Sequence, residues 1–469
     1  MNILFCMIRP LALAGASLVV TGCVLSPPGQ RHEKDKLTSA GEPYQRPADE
    51  RHLPDLPVPA TWRDVLGRAL LANGDLESAY FQWAAAYHRI DQRAGYPNTK
   101  LAPQFGYMFS DERMKAWDRT TVSVGFDPAV PLMFPGKVAK EGEMALADAR
   151  MAGQAFRAKK FEVQAKVLQL YVDLALARER VRIAQENHEL LRMVVESARR
   201  RLEAGGSQAE LLRAQTALAT SENAVRMRES DAAMTLAMLN GMLARDPRAS
   251  LDLPPGLPPP RPLATGDDVL IAAATDVNPQ LVGLSHELSG RADALELARM
   301  EYIPDISPMA SITGGVSQMV QAMVMLPTTL PQIRARIEEN RALLRGTQAM
   351  LRQTRRDKAA AFVAALYALR NAEREAALLR DDVLPKARAS LDSVRQSYAT
   401  GAAGFTDLIE SQRMLLDVQL MLAESTAERE KRLAELEELA GVDVETLAQP
   451  ATTSPSIAAA QAAGEHHHE

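Results

Sequence analysis

Tyr171-Val172-Asp173-Leu174 opens a stretch that closes on Glu203-Ala204-Gly205, and the same frame returns as Tyr367-Ala368-Leu369-Arg370 closing on Ala399-Thr400-Gly401. The two tyrosines and the two glycines are separated by one constant distance (367 − 171 = 401 − 205 = 196). The chain therefore reads as a tandem duplication. A fixed period of this size makes each copy one structural unit beside its twin, and it turns the functional reading away from a single catalytic pocket.

The copies can be followed outward. Asp64-Val65-Leu66 with Asn73-Gly74-Asp75-Leu76 answers Asp268-Val269-Leu270 with Asn278-Pro279-Gln280-Leu281. Tyr96-Pro97 then answers Tyr302-Ile303-Pro304 at a larger offset (302 − 96 = 206), so the second copy is shorter between its proline and its next helix. Hairpin loops tolerate such length changes. The residues there read as strand: Gln104 to Ser110 and Thr120 to Phe126 around a charged loop in the first copy, and a poorer pair, Pro308 to Gly315 and Gln321 to Leu326, in the second. A four-stranded set of this kind cannot close on itself and needs copies from other chains or a partner sheet.

Helix dominates the remainder. Gly136 to Ala204 and Gln332 to Thr400 contain almost no breaker, and at 1.5 Å per residue each run would reach roughly 100 Å. In the first run Val163, Val167, Leu170, Leu174, Ala177 and Val181, continuing through His188 to Leu202, alternate spacings of four and three. That is a coiled-coil seam with one polar entry. Each run stops at a glycine turn, Gly205-Gly206 or Gly401, from which a second helix departs near Leu211 or Leu408. Two antiparallel hairpins follow, with tips far from the strands. Pro385 sits inside the second run and is expected to kink or break it.

The N-terminus carries an address. Met1 to Arg9 is weakly basic, Leu11 to Val20 is apolar but too short to span a bilayer, and Val20-Thr21-Gly22-Cys23 matches a lipoprotein cleavage site. Cys23 would be acylated and become the first mature residue. Cys6 departs with the signal, leaving no disulfide pair. Val24 follows, instead of the Asp that tends to hold bacterial lipoproteins at the inner membrane, which favours outer-membrane delivery. The segments read as signal peptide 1–22, polar lipid-anchored flexible tether 23–58, first repeat 59–252, Pro-rich linker 253–266, second repeat 267–449 and Ala/Ser-rich tail 450–469.

A net charge of −5 with no basic, aromatic-interleaved cluster gives no sign of nucleic-acid binding. No Ser-His-Asp, Cys-His or HExxH arrangement and no phosphate loop is present, so neither an enzyme nor a cofactor is indicated. After residue 23 no stretch is long and apolar enough for a transmembrane helix, so any membrane crossing must be a closed β-barrel. His466-His467-His468 lies in the tail and is assigned no metal. Met309, Met319, Met323 and Met325 are soft-metal candidates by chemistry and apolar filler by the commoner use of methionine.

These features together resemble the TolC-type outer-membrane efflux factors. The residues that carry the resemblance are the lipobox at Cys23, the paired openings from Asn73 and Asn278, the strand exit Pro131-Leu132-Met133-Phe134-Pro135-Gly136-Lys137, and above all Val383-Leu384-Pro385-Lys386-Ala387 with Tyr398-Ala399-Thr400-Gly401 and Asp407-Leu408. It spans roughly residues 60 to 445. Two departures stand out: the second strand hairpin is short, and Leu326-Pro327-Thr328-Thr329-Leu330-Pro331 replaces the usual aromatic-and-glycine exit.

The resemblance implies a mainly α fold in which duplicated coiled-coil hairpins build a trimeric α-barrel. Four β-strands per protomer would contribute to a shared twelve-stranded outer-membrane β-barrel, shortened if the second hairpin is short. It implies an outer-membrane conduit of a tripartite efflux or type I secretion-like system in a Gram-negative bacterium, working with a periplasmic adaptor and an inner-membrane transporter. Around Pro385 it places a girdle of extra structure. At the hairpin tips, Gly205, Gly206 and Gly401 would meet the adaptor. Asp407 and Glu410, three apart on one helix face, match positions where the family sets carboxylate rings at the periplasmic aperture, and Glu210 sits similarly in the first copy. The same acids also suit a helix N-terminus, and both readings stand. The alternative to a conduit is a lipid-anchored coiled-coil envelope spacer, or an adaptor, without a complete pore.

Overall fold

Pro135 opens and Glu203 closes one unbroken α-helix of 69 residues, and Gly205 stops it in left-handed backbone at φ +95°. Both ends fall within one residue of the expected breakers, because proline and glycine act locally. The computed structural model describes residues 25–96, 101–109, 114–126, 132–263, 266–268, 270–271, 277–400 and 402–443. Cys23, the signal peptide, Gly401 and the histidine-bearing tail lie outside the described residues.

In chain order the elements are α1 (Gln30–Gly41), α2 (Trp62–Ala72), α3 (Gly74–Arg93), β1 (Leu101–Tyr107), β2 (Thr120–Phe126), α4 (Pro135–Glu203) and α5 (Gln208–Met242). They continue as α6 (Pro279–Met300), β3 (Asp305–Thr313), β4 (Ser317–Met325), α7 (Leu330–Leu378), a π-helical turn (Leu379–Val383), α8 (Leu384–Thr400) and α9 (Phe405–Ala440). The chain divides into two units. One comprises residues 1–45, 77–156 and 279–354, the other 46–76, 157–278 and 355–469. Each unit draws on both copies, so the folding units do not follow the repeat boundaries read from the sequence.

The first unit holds the sheet, a wholly antiparallel meander in the order β1-β2-β3-β4. The second hairpin is not the poorer one. β3 and β4 run nine residues each against seven in β1 and β2, and the length difference between copies is taken up in the loop, since only Gly314 to Val316 joins β3 to β4. Asp305-Ile306-Ser307 and Ser317-Gln318-Met319 have weak strand propensity and are drawn into the ladder by register. At its base the copies are tied together. Leu132 and Ile306 exchange backbone hydrogen bonds of 3.1 and 3.2 Å, and Lys137 Nζ donates to Asp305 Oδ1 at 2.8 Å and to the Ile303 carbonyl at 2.7 Å.

The expected flexible tether is also corrected. Gln30, Glu33, Leu37 and Gly41 recur at helical spacing and all face inward, so α1 docks on α3 and the start of α4. Leu37 packs with Trp83, Tyr87 and Ile90, the buried Glu33 accepts from Trp83 Nε1 at 3.0 Å, and Gln30 Nε2 donates to Asp91 at 2.7 Å. A Cβ on Gly41 would lie 1.9 Å from the Tyr80 hydroxyl, so only glycine permits this approach. Polar composition disguises the segment, because Gln30, through its amide nitrogen, and Glu33 are buried against partners on α3.

In the second unit the heptad seam is realised: Val163, Val167, Leu174, Ala177, Leu191, Val195 and Ala198 are buried and none of the remaining seam positions is exposed. Phe362, Leu366 and Leu369 of α7 pack with Leu433 and Leu436 of α9 around Leu270. Pro385 does not break its helix. It cannot donate a backbone hydrogen bond, and its ring would crowd the carbonyl four residues earlier, so the wider π turn at Leu379–Val383 absorbs the misfit immediately upstream. The Pro-rich linker is clamped by Arg261, whose guanidinium reaches Glu430 at 3.2 Å and Glu437 at 3.0 Å in a nearly dry setting over the Trp62 ring. Desolvation opposes that charge, and the two carboxylates outweigh it and hold the Arg261 pKa above its usual value.

Candidate pore elements: the sheet and the hairpin tips

Cross-strand register sorts the sheet into two unlike faces. Phe105 pairs with Val122, Val122 with Ile312, Val124 with Ala310, and Ala310 with Val320. That face is apolar, and Phe105 (74 %) and Val320 (86 %) are largely exposed on it. On the other face Gln104 opposes Ser123, Ser123 opposes Ser311, and Thr121 Oγ1 lies 3.0 Å from Thr313 Oγ1. Apolar exposure on one face and small polar groups on the other, interrupted on β3 and β4 by Met309, Met319, Met323 and Met325, is close to the alternation of a wall between lipid and water. β1 and β4 have no strand on their outer edges among the described residues. Such apolar, unpaired edges are unstable in an isolated chain.

The hairpin tips belong to the second unit. After α4 the chain turns through Gly205, and Gly206 N donates to the Arg201 carbonyl at 2.8 Å. A Cβ on Gly206 would stand 2.8 Å from that same oxygen. The two glycines thus serve different ends: Gly205 supplies positive φ and Gly206 a close approach. Ser207 then caps α5 by accepting from Ala209 N at 3.2 Å. At the second tip Ala402 N and Ala403 N donate to the Ser397 carbonyl at 2.8 and 3.1 Å.

The tips are clasped to each other. The Arg201 guanidinium lies 3.8 Å from the centre of the Tyr398 ring and also donates to the Tyr398 carbonyl. Tyr398 stacks edge-on to Phe405 at 6.5 Å in a cluster with Val195, Ala198, Leu391 and Leu408. Burial raises the Tyr398 pKa, with the Arg201 charge opposing the rise. Sequence reading singled out the glycines here but not Arg201. Arg199, Arg200 and Arg201 all suit a helix C-terminus, and nothing along the chain shows which one turns inward.

Asp407 and Glu410 are exposed and Glu210 half-buried. Asp407 accepts from Gly404 N at 2.9 Å and so closes the N-terminus of α9. Glu410 shares an open cleft with Arg213, Thr216, Phe405 and Arg413. Asp407 and Glu410 therefore differ within one protomer: Asp407 is committed to its own helix end, while Glu410 lines a cleft that also holds Arg213 and Arg413. Among the described residues no helix is long and apolar enough to cross a membrane.

A profile for outer membrane efflux proteins matches residues 65–245, and the architecture is that of solved outer-membrane channels. Over those residues the chain resembles the outer membrane efflux proteins. Of the similar structures, the open-state MtrE outer membrane channel of Neisseria gonorrhoeae superposes with a TM-score of 0.67 at 18 % identity, covering 82 % of this chain and 89 % of that one. Among curated relatives, the fusaric acid resistance protein FusA of Burkholderia cepacia is 28 % identical over 189 residues, 38 % of this chain and 34 % of FusA. Protein CyaE of Bordetella pertussis is 29 % identical over 280 residues, 56 % of this chain and 58 % of CyaE. The chain thus spans between a third and three-fifths of these two relatives. The family and its structural neighbours are outer-membrane channels, not enzymes.

Proposed function

We propose that this chain is the outer-membrane conduit of a tripartite efflux or type I secretion-like system. In this reading three copies close a twelve-stranded barrel, and the helical hairpins form the periplasmic duct that receives substrate from an adaptor and an inner-membrane transporter. The observation that carries it is the open four-stranded meander with one exposed apolar face and one polar face. Strands of nine residues in β3 and β4 support a membrane-spanning wall, since a tilted transmembrane strand needs about 9–11 residues. The spacer alternative rested on a short second hairpin, and the nine-residue β3 and β4 support the conduit reading over it.

Lipidation at Cys23 belongs to this reading. Leu25 N donates to the Ala94 carbonyl at 2.9 Å at the end of α3, a few residues before β1. That bond supports an anchor beside the membrane end of the first unit. Cys23→Ser is expected to abolish palmitate incorporation.

The test of conduction is the purified full chain in planar bilayers. Open, cation-favouring channels blocked by divalent or trivalent ions are expected, because convergent carboxylates at a narrow mouth favour hard cations. Asp407→Asn with Glu410→Gln is expected to relieve the block. Absence of any conductance from correctly inserted protein would contradict the conduit, and unchanged block in the double variant would move the constriction away from these acids.

A further inference from the structure

The polar face of the sheet carries an anomaly that conduction does not explain. On β1 and β2 that face is Gln104, Gly106, Thr121, Ser123 and Gly125, small or polar and without sulfur. On β3 and β4 the same face carries Met309, Met319, Met323 and Met325. Apolar filler is buried, but Met319 is 47 % and Met323 50 % exposed. They stand on the side where the channel reading puts water.

Register places these thioethers within reach of one another. Met309 lies directly across from Gln321, so Met319 and Met323 are its two diagonal neighbours, and Met325 follows Met323 on the same face. Diagonal partners in an antiparallel pair are separated by roughly 7–8 Å. Two methionine arms, each unbranched and with three rotatable bonds, can close that gap. Met309 is held in place from below, since a Cβ on Gly125 would come within 2.8 Å of its side chain. Ser307 and Ser311, opposite Met323 and Met319, are too small to cover the sulfurs, and at one rung the Gln321 amide donates to Met319 Sδ at 2.6 Å, a contact that an ion would displace.

We propose that Met319, Met309, Met323 and Met325 form a thioether ladder that binds soft monovalent metal ions of the Cu(I) and Ag(I) class. Neutral sulfur donors select such ions over hard or borderline ones. Two thioethers hold the ion at a time, and the next rung lies one diagonal or one same-face step along the strand. Serial weak sites of this kind allow both entry and departure. Every rung comes from one chain, so the site needs no neighbouring protomer. The proposal takes from the channel reading only which face meets water.

The test is equilibrium dialysis of the full chain in detergent against silver nitrate in chloride-free buffer, with thiols blocked by N-ethylmaleimide. Met309→Leu/Met319→Leu/Met323→Leu/Met325→Leu is compared with a control, Met227→Leu/Met234→Leu/Met238→Leu, which changes exposed methionines on α5. Wild type and control are expected to retain at least one more silver ion per chain than the sheet variant, in the presence of excess sodium and zinc. The single variant Met323→Leu, which changes volume little and leaves only the Met309–Met319 pair, is expected to retain fewer silver ions at saturation than wild type while the helical circular dichroism stays native. In wild type labelled with 13C-methyl methionine, silver is expected to shift the resonances that the sheet variant lacks. Equal silver binding by wild type and sheet variant, equal loss in sheet variant and control, or an unaffected Met323→Leu each overturns the ladder. Conductance plays no part in the readout, so failure here leaves the conduit standing, and a failed conduit leaves silver binding measurable.

Discussion

Arg201 and Tyr398 show how much of the tip rests on one pair. A guanidinium 3.8 Å from the ring centre, partly shielded from water, gains attraction from the ring face as well as a hydrogen bond to the backbone. Such stacking is worth about 0.5–2 kcal/mol. Arg201→Leu and Tyr398→Leu are each expected to lower the thermal midpoint of helical circular dichroism, and the double variant to lose less than the two losses combined, by a coupling of that size. Strict additivity would show that the two side chains do not act together. His286 provides a pH handle in the first unit. Burial lowers its pKa from 6.5, with Arg150 and Lys36 adding to the fall and Glu33 opposing it. The unfolded chain therefore takes up the proton first as pH drops, so this contribution to stability is present above about 6.5 and lost below it. Wild type is expected to lose more stability than His286→Asn between pH 7.5 and 5, and parallel losses would contradict the assignment.

At the scale of elements the sheet is the decisive piece, and adjacent residues on β4 test its two faces. Val320 belongs to the apolar face and Gln321 to the polar one. An arginine on a lipid-facing strand costs about 2–4 kcal/mol near the bilayer midplane, whereas lumen positions chiefly tune selectivity. Val320→Arg is expected to prevent heat-resistant insertion into liposomes, and Gln321→Arg to insert normally with reduced cation preference. The reverse pattern would invert the wall. The elements also show what could be read without coordinates. The ends of α4 and the glycine turn after it were legible because Pro135, Gly205 and the seam from Val163 to Leu202 act through local rules. α1 was not, because Gln30 and Glu33 are buried by partners distant in sequence, Asp91 and Trp83. β3 and β4 were undervalued because serine, methionine and glutamine become strand here only by pairing with β2 and with each other. Pro385 reads as a misfit along the chain, and a π turn takes up that misfit without ending the helix.

For the whole molecule the duplication explains the inventory: paired hairpins, paired strand pairs and a sheet whose middle joint, β2 to β3, lies between the copies. Of the candidate site, the tip glycines and the acids near α9 could be named from the chain alone. The Arg201 clasp could not, since it depends on which helix lies opposite, whereas the Asp407 cap is a local contact with Gly404. In the proposed conduit the open edges of β1 and β4 are joined by other copies, since among the described residues no strand covers either edge and both carry exposed apolar side chains. The most direct measurement is the mass of the full chain in detergent micelles, by native mass spectrometry or light scattering with the detergent contribution removed. Three chains per particle are expected at all concentrations that preserve helical circular dichroism. A stable monomer with native helical content would contradict the closed barrel and, with it, the conduit.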